Sequence, residues 1–286
     1  MEFIAQRSRN RKSEYRISNL ISIGCKKTLL KKMGEKYITY DIENNIVILQ
    51  INNPPANELS SKVINELSST LDLLAERKDV KVIIITGKGR GFCTGVDINE
   101  MAEINSASDS KEFRLRGRGL INKMLNSQKP LIAAINNVCL GGGLELAMAC
   151  HIRVATVNAR LGLPEITFGI LPGFGGIRLL TGLVGRGKAI EMILTGEKVL
   201  AKDVKEFGLI NHVVPGNKLI PETKAIARTI AEKGFIAVSS ALRMTMQECI
   251  KDFEKELKAE SSIFDKIYET EDWRERISAF LEKRKT

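Results

Sequence analysis

Alternation of apolar and polar residues marks the first structured part of the chain. From Tyr37, YITYDI, a turn at Glu43 to Asn45 and IVILQINN read as the strands of a hairpin, which stops at Pro54 and Pro55 because proline cannot donate to a ladder. The period then lengthens. In SKVINELSSTLDLLAERKD, Val63, Ile64, Leu67, Leu71 and Leu74 recur at helical spacing behind Ser60 or Ser61, either of which can cap the helix. VKVIIITG follows as a β-branched run short enough for a strand buried on both faces. Ala102 to Gln128 is polar and then helical, and its Arg114, Arg116 and Arg118 read as a solvated face. Lys129 and Pro130 end that helix and start the strand LIAAINN. After Gly176 come helix, turn, helix and a short strand-like end at His212, a surface or packing residue; from Lys218 onward the pattern is mostly helical.

Two glycine-rich turns interrupt these elements. Gly87, Gly89, Gly91 and Gly95 lie in GKGRGFCTGVDINEM, directly after VKVIIITG. A phosphate loop is excluded: Phe92 or Thr94 stands where GxGxxG needs its third glycine, and no GK[ST] ending is present. Gly141, Gly142 and Gly143 fall between LIAAI and LELAMAC, at a strand-to-helix turn. Glycines there let an acyl group approach bare backbone N–H groups, and the helix N-terminus adds partial positive charge, so an oxygen gaining negative charge would be stabilised.

Two glutamates stand in apolar company nearby. Glu145 falls in the first helical turn after the glycines, and Glu165 lies in LGLPEITFGILPGFGG. Carboxylates so placed can have raised pKa values and exchange protons near neutral pH. Taken singly, Glu145 could also serve the helix N-terminus, and Glu165 could be half of a buried ion pair.

Composition narrows the classes. With 286 residues and 43% hydrophobic content, the chain can bury one large domain, or a domain with an appendage. The formal charge of +10 suggests nucleic acid at first, yet Met1 to Gly34 holds nine Lys/Arg against Glu2 and Glu14, and aromatics are only 5%, so no basic reading face is expected. Cys25, Cys93, Cys139, Cys150 and Cys249 form no CxxC pair, and with His151 and His212 they offer no zinc-ligand spacing; reduced, mostly buried thiols and no metal are expected. No apolar run approaches bilayer length and no signal-peptide block opens the chain, which predicts a cytoplasmic protein without membrane partners. The composition of Met1 to Lys32 matches a transit peptide, which would place the protein in an organelle matrix. The preferred reading is an extension outside the fold, with MGEKYITYDI resembling an ordinary start.

GRGFCTGVDINEM, KPLIAAINNVCLGGGLELAMACHIRVA, LGLPEITFGILPGFGG and SAFLEKRK, in this order and spacing, resemble the enoyl-CoA hydratase/isomerase (crotonase) family over about Glu35 to Lys285. The resemblance implies an α/β fold, a crotonase-like spiral of ββα units, with a basic extension at 1–34, a catalytic core at 35–225 and a helical C-terminal oligomerisation region at 226–286. It implies homotrimers or dimers of trimers, an acyl-CoA thioester substrate, a place in fatty acid metabolism, and no cofactor apart from the coenzyme A of the substrate. Carried over by residue, the oxyanion donors are the backbone N–H groups of Val96 and Gly142, the catalytic carboxylates are Glu145 and Glu165, and Gly173 orients a water. The substrate's coenzyme A would lie along the segment after Val96, with backbone groups of Asp97 and Ile98 near the adenine, and Phe280 and Lys283 match residues that line the acyl and coenzyme A ends, sometimes from a neighbouring subunit. Because both glutamates are present, the resemblance implies reversible hydration of a trans-2-enoyl-CoA to the 3-hydroxyacyl-CoA, with double-bond isomerisation on the same scaffold as the alternative. Asn99 replaces the family's lysine after the Asp-Ile pair, Glu58 stands where a small residue is common, and GGIRLL shifts Arg178 by one position.

Overall fold

The structure, a computed structural model, describes residues 37–104, 106–268 and 270–285; the basic extension expected at 1–34 lies outside the described residues. Strands β1 (Ile38–Glu43) and β2 (Ile46–Ile51) pair antiparallel, as their alternation predicts. Asn44 and Asn45 turn between them at φ 51° and 65°, a left-handed conformation that asparagine tolerates. Helix α1 (Ser61–Glu76) follows; the Ser60 side chain accepts from the Val63 N–H, and Val63, Ile64, Leu67, Leu71 and Leu74 are its buried face.

The chain then winds through repeated strand pairs. β3 (Val82–Gly87) runs straight into β4 (Gly91–Cys93), followed by α2 (Ile98–Ala102) and α3 (Ala107–Leu125). β5 (Leu131–Ile135) runs into β6 (Val138–Leu140) and α4 (Gly142–Ala149), and β7 (Ile152–Thr156) into β8 (Arg160–Gly162) and a 3-10 turn at Pro164–Phe168. The first strand of each pair enters a six-stranded sheet, β1-β2-β3-β5-β7-β10, and the second enters a four-stranded sheet, β4-β6-β8-β9. This alternation makes the ββα spiral. The remaining elements are α5 (Gly176–Val184), α6 (Arg186–Thr195), β9 (Val199–Leu200), α7 (Ala201–Val204), β10 (His212–Val214), α8 (Leu219–Ala231), α9 (Phe235–Tyr268) and α10 (Asp272–Lys285).

Two apolar layers explain why β3 reads as continuously hydrophobic. Ile83 and Ile85 enter the main core, whereas Val82 and Ile84 face a second cluster closed by Leu219, Ala227 and Ala231 of α8. Every residue of β3 is buried. His212 is exposed at the start of β10. Among the described residues, no helix is long and apolar enough to cross a membrane.

One expectation is overturned. Arg114 and Arg118 are 3% and 4% exposed, so the face they share is not solvated. Helix α9 packs over α3, and the two guanidinium carbons lie 4.4 and 5.5 Å from the centroid of the Phe264 ring. A planar, weakly hydrated guanidinium tolerates such burial against an aromatic face. Arg116 does point outward and pairs with Glu112.

Candidate active site

Parallel pairing of β4 with β6 sets their two following turns side by side. A Cβ on Gly95 would sit 3.6 Å from the Gly142 nitrogen, and one on Gly142 would sit 3.3 Å from Cγ1 of Val96. At φ 51° Gly141 adopts a backbone that L side chains rarely reach, and a Cβ there would lie 2.9 Å from Oε1 of Glu165. Among the described residues, neither the Val96 N–H nor the Gly142 N–H is taken up by a protein acceptor. Two backbone donors in neighbouring turns are what an oxyanion requires.

Glu145 projects from the first turn of α4 and is 1% exposed. Its Oε1 accepts the N–H of Phe174 at 2.8 Å and that of Gly176 at 2.7 Å, donors that complement a negative carboxylate. A Cβ on Gly176 would come within 2.8 Å of that oxygen, so only glycine allows this approach.

Glu165 sits differently, in the 3-10 turn after β8. The residue as a whole is half-buried, but its Oε2 is sealed from solvent and has no hydrogen-bond partner. Burial, and then the charge of Glu145, push its carboxyl well above the ordinary 4.5. The structure thus brings the two predicted carboxylates and the two predicted donor turns together.

A cavity of about 670 Å³ opens beside them, lined by Val96, Ile98, Pro164, Phe168, Phe280 and Lys283 among others. Glu58, Lys198 and Arg276 also reach it. Phe280 meets Phe168 edge to face at 5.1 Å, and α10 is anchored by buried Trp273 and Ile277. Phe280 and Lys283 therefore reach the cavity from the same chain as Val96. Asp97 does not line it: its carboxylate accepts from the Asn99 N–H at 2.9 Å and caps α2, and its own N–H goes to the Leu59 carbonyl. Gly173 lies one residue from Phe174, and its carbonyl accepts from Nε of Arg118 at 2.8 Å. Arg178 pairs with Asp252 of α9.

The sequence did not reveal the donors to Glu145 or the anchoring of their loop by Arg118. In ILPGFGG the glycines signalled close chain crossings, yet a backbone N–H leaves no signature of its partner. The remaining candidates for chemistry are quiet. Burial pushes Cys93 and Cys150 up to about 12 and Cys139 well above the usual range, which suits inert thiols. Burial, and then Arg153, lower His151 to about 4, and its Nδ1 accepts the Leu131 N–H at 2.8 Å, a packing role.

A ββα spiral with a cavity of about 670 Å³ beside two glycine turns and two carboxyls is the architecture of the crotonase class. The family model described as Enoyl-CoA hydratase/isomerase matches residues 41–286, and the chain belongs to that family. It is 42% identical over 249 residues to a probable enoyl-CoA hydratase of Bacillus subtilis (strain 168), covering 87% of this chain and 96% of the relative. A short-chain-enoyl-CoA hydratase of Clostridium acetobutylicum is 36% identical over 245 residues, covering 85% of this chain and 94% of that one. Among solved structures, the enoyl-CoA hydratase from Bacillus anthracis superposes with a TM-score of 0.72 at 35% identity, over 87% of this chain and 97% of its own. The crotonase fold implied by the motifs is thus shared.

Proposed function

We propose that this chain hydrates trans-2-enoyl-CoA reversibly to 3-hydroxyacyl-CoA. The thioester oxygen accepts from the Val96 and Gly142 N–H groups, each worth about 3 to 4 kcal/mol where enolate charge develops. Glu145 takes a proton from one water as that oxygen bonds to Cβ. The double-bond electrons shift toward the thioester, and Glu165 gives its proton to Cα, so H and OH add across the double bond. The Gly173 N–H orients the water. The coenzyme A lies along the segment after Val96, with backbone groups of Asp97 and Ile98 near its adenine, and Phe280 and Lys283 line the acyl and coenzyme A ends. Coenzyme A enters and leaves with the substrate, and no further cofactor takes part.

The observation that carries this reading is the contrast within the carboxyl pair. Glu145 has two N–H donors on one oxygen, suiting a charged base, while Glu165 is held above its ordinary value, suiting a proton donor. The relatives from B. subtilis and C. acetobutylicum, named hydratases, support the same reaction. Homotrimers or dimers of trimers in the cytoplasm complete the proposal. Its test is the ultraviolet absorbance of the conjugated thioester: crotonyl-CoA should lose it on adding the protein. A preparation that isomerises 3-enoyl-CoA but never hydrates crotonyl-CoA would overturn the assignment.

A further inference from the structure

We infer that Arg118 is a positioning residue for Glu145, acting through the peptide group between Gly173 and Phe174; this rests on the role proposed for Glu145. The carbonyl of that peptide accepts Nε of Arg118 at 2.8 Å, and its N–H donates to Oε1 of Glu145 at 2.8 Å. A cation, one peptide dipole and an acidic side chain thus stand in a row. A guanidinium on the carbonyl polarises the peptide and strengthens its N–H as a donor, and hydrogen bonds chained in a low-dielectric interior reinforce one another.

The surroundings favour a device over a chance contact. Arg118 is only 4% exposed, and its guanidinium lies beside the Phe264 ring. The Phe174 ring fixes the same peptide from the other side: a Cβ on Gly117 would fall 2.1 Å from its Cε1, and one on Gly142 would fall 3.3 Å from its Cε2. Helix α3 thereby grips the loop that holds Glu145 at its side chain and at its backbone. Glu165 approaches from the 3-10 turn, and the charge of Glu145 helps to raise its carboxyl. Arg114, also on α3, donates to Ser110.

The experiment compares Arg118→Met, Arg118→Gln and Arg118→Lys with the parent on crotonyl-CoA, each with a melting curve. Loss of the cation makes Glu145 easier to protonate, so in both neutral variants the acid limb of the kcat profile should move to higher pH. At neutral pH kcat should fall about tenfold with KM little changed, the scale of one charge-assisted hydrogen bond. Arg118→Lys should restore limb and rate. Either neutral variant suffices if the other does not fold. A neutral variant that melts lower but keeps the parent's acid limb would make Arg118 a structural strut and overturn the inference. A parent that does not hydrate crotonyl-CoA would instead sink the proposed function, so the two failures are distinguishable.

Discussion

Glu145 and Glu165 share one buried site, yet the chain surrounds them in opposite ways. Glu145 stands on a helix whose first turn is fixed by glycine geometry, and two N–H groups from the Phe174–Gly176 loop converge on one of its oxygens. Glu165 stands on a short 3-10 turn, with Oε2 sealed and unpartnered and Oε1 close to Gly141. The same side chain is braced for charge in one place and denied it in the other. On the proposed mechanism two chemically identical groups divide the labour because backbone donors converge on one, while burial and the charge of Glu145 raise the other.

The sharpest way to break the comparison is to remove one carboxylate at a time. Glu145→Gln and Glu165→Gln should each lower kcat for hydration by about 10²- to 10⁴-fold, the range for a general acid or base. On the proposed mechanism, in which both groups act on one water, the double variant should lose far less than the product of the two. Crotonyl-CoA turnover checks this, and near-parental rates in either variant would remove that residue from the chemistry.

A smaller effect comes from the oxygen site shared by both groups. Gly142→Pro deletes one N–H at the first position of α4, where proline fits the helical backbone although a Cβ there meets Phe174 and Val96 at 3.3 Å, and kcat/KM should fall about 10²- to 10³-fold. A loss no larger than that in melting-matched controls would argue against the donor role.

The smallest effect concerns stability, and its sign separates the two glutamates. Because folding raises the Glu165 carboxyl above 4.5, the folded state holds that proton more tightly than the unfolded chain. The resulting stability is fully present below the unfolded value and is lost as pH rises through the folded one. Glu165→Gln should melt close to the parent in acid and progressively above it as pH increases. Glu145→Gln can still accept both N–H bonds but loses their charge assistance, and should melt lower by about 1 to 2 kcal/mol near neutral pH. Thermal melts over a pH series distinguish the two patterns.

Much of this arrangement was legible in the chain because its signals are local. The hairpin, the buried stripe of α1 and the doubly buried β3 each follow from periodicity within their own residues. Glu145 and Glu165 stood out as acids in apolar runs beside glycines. What escaped was settled between distant segments. The burial of Arg114 and Arg118 depends on α9, which their own helix does not encode, and the Phe174 and Gly176 donors belong to backbone whose partners no side-chain pattern announces. The side chain of Asp97 caps α2, a local role that leaves open the backbone contact the family motif implies.

The contrast between the two carboxyls is tested most directly by infrared difference spectra at neutral pH. Parent minus Glu165→Gln should show the stretch of a protonated carboxyl, and parent minus Glu145→Gln should show only carboxylate bands. The reverse assignment, or carboxylate bands from both, would contradict a base at Glu145 and a proton donor at Glu165.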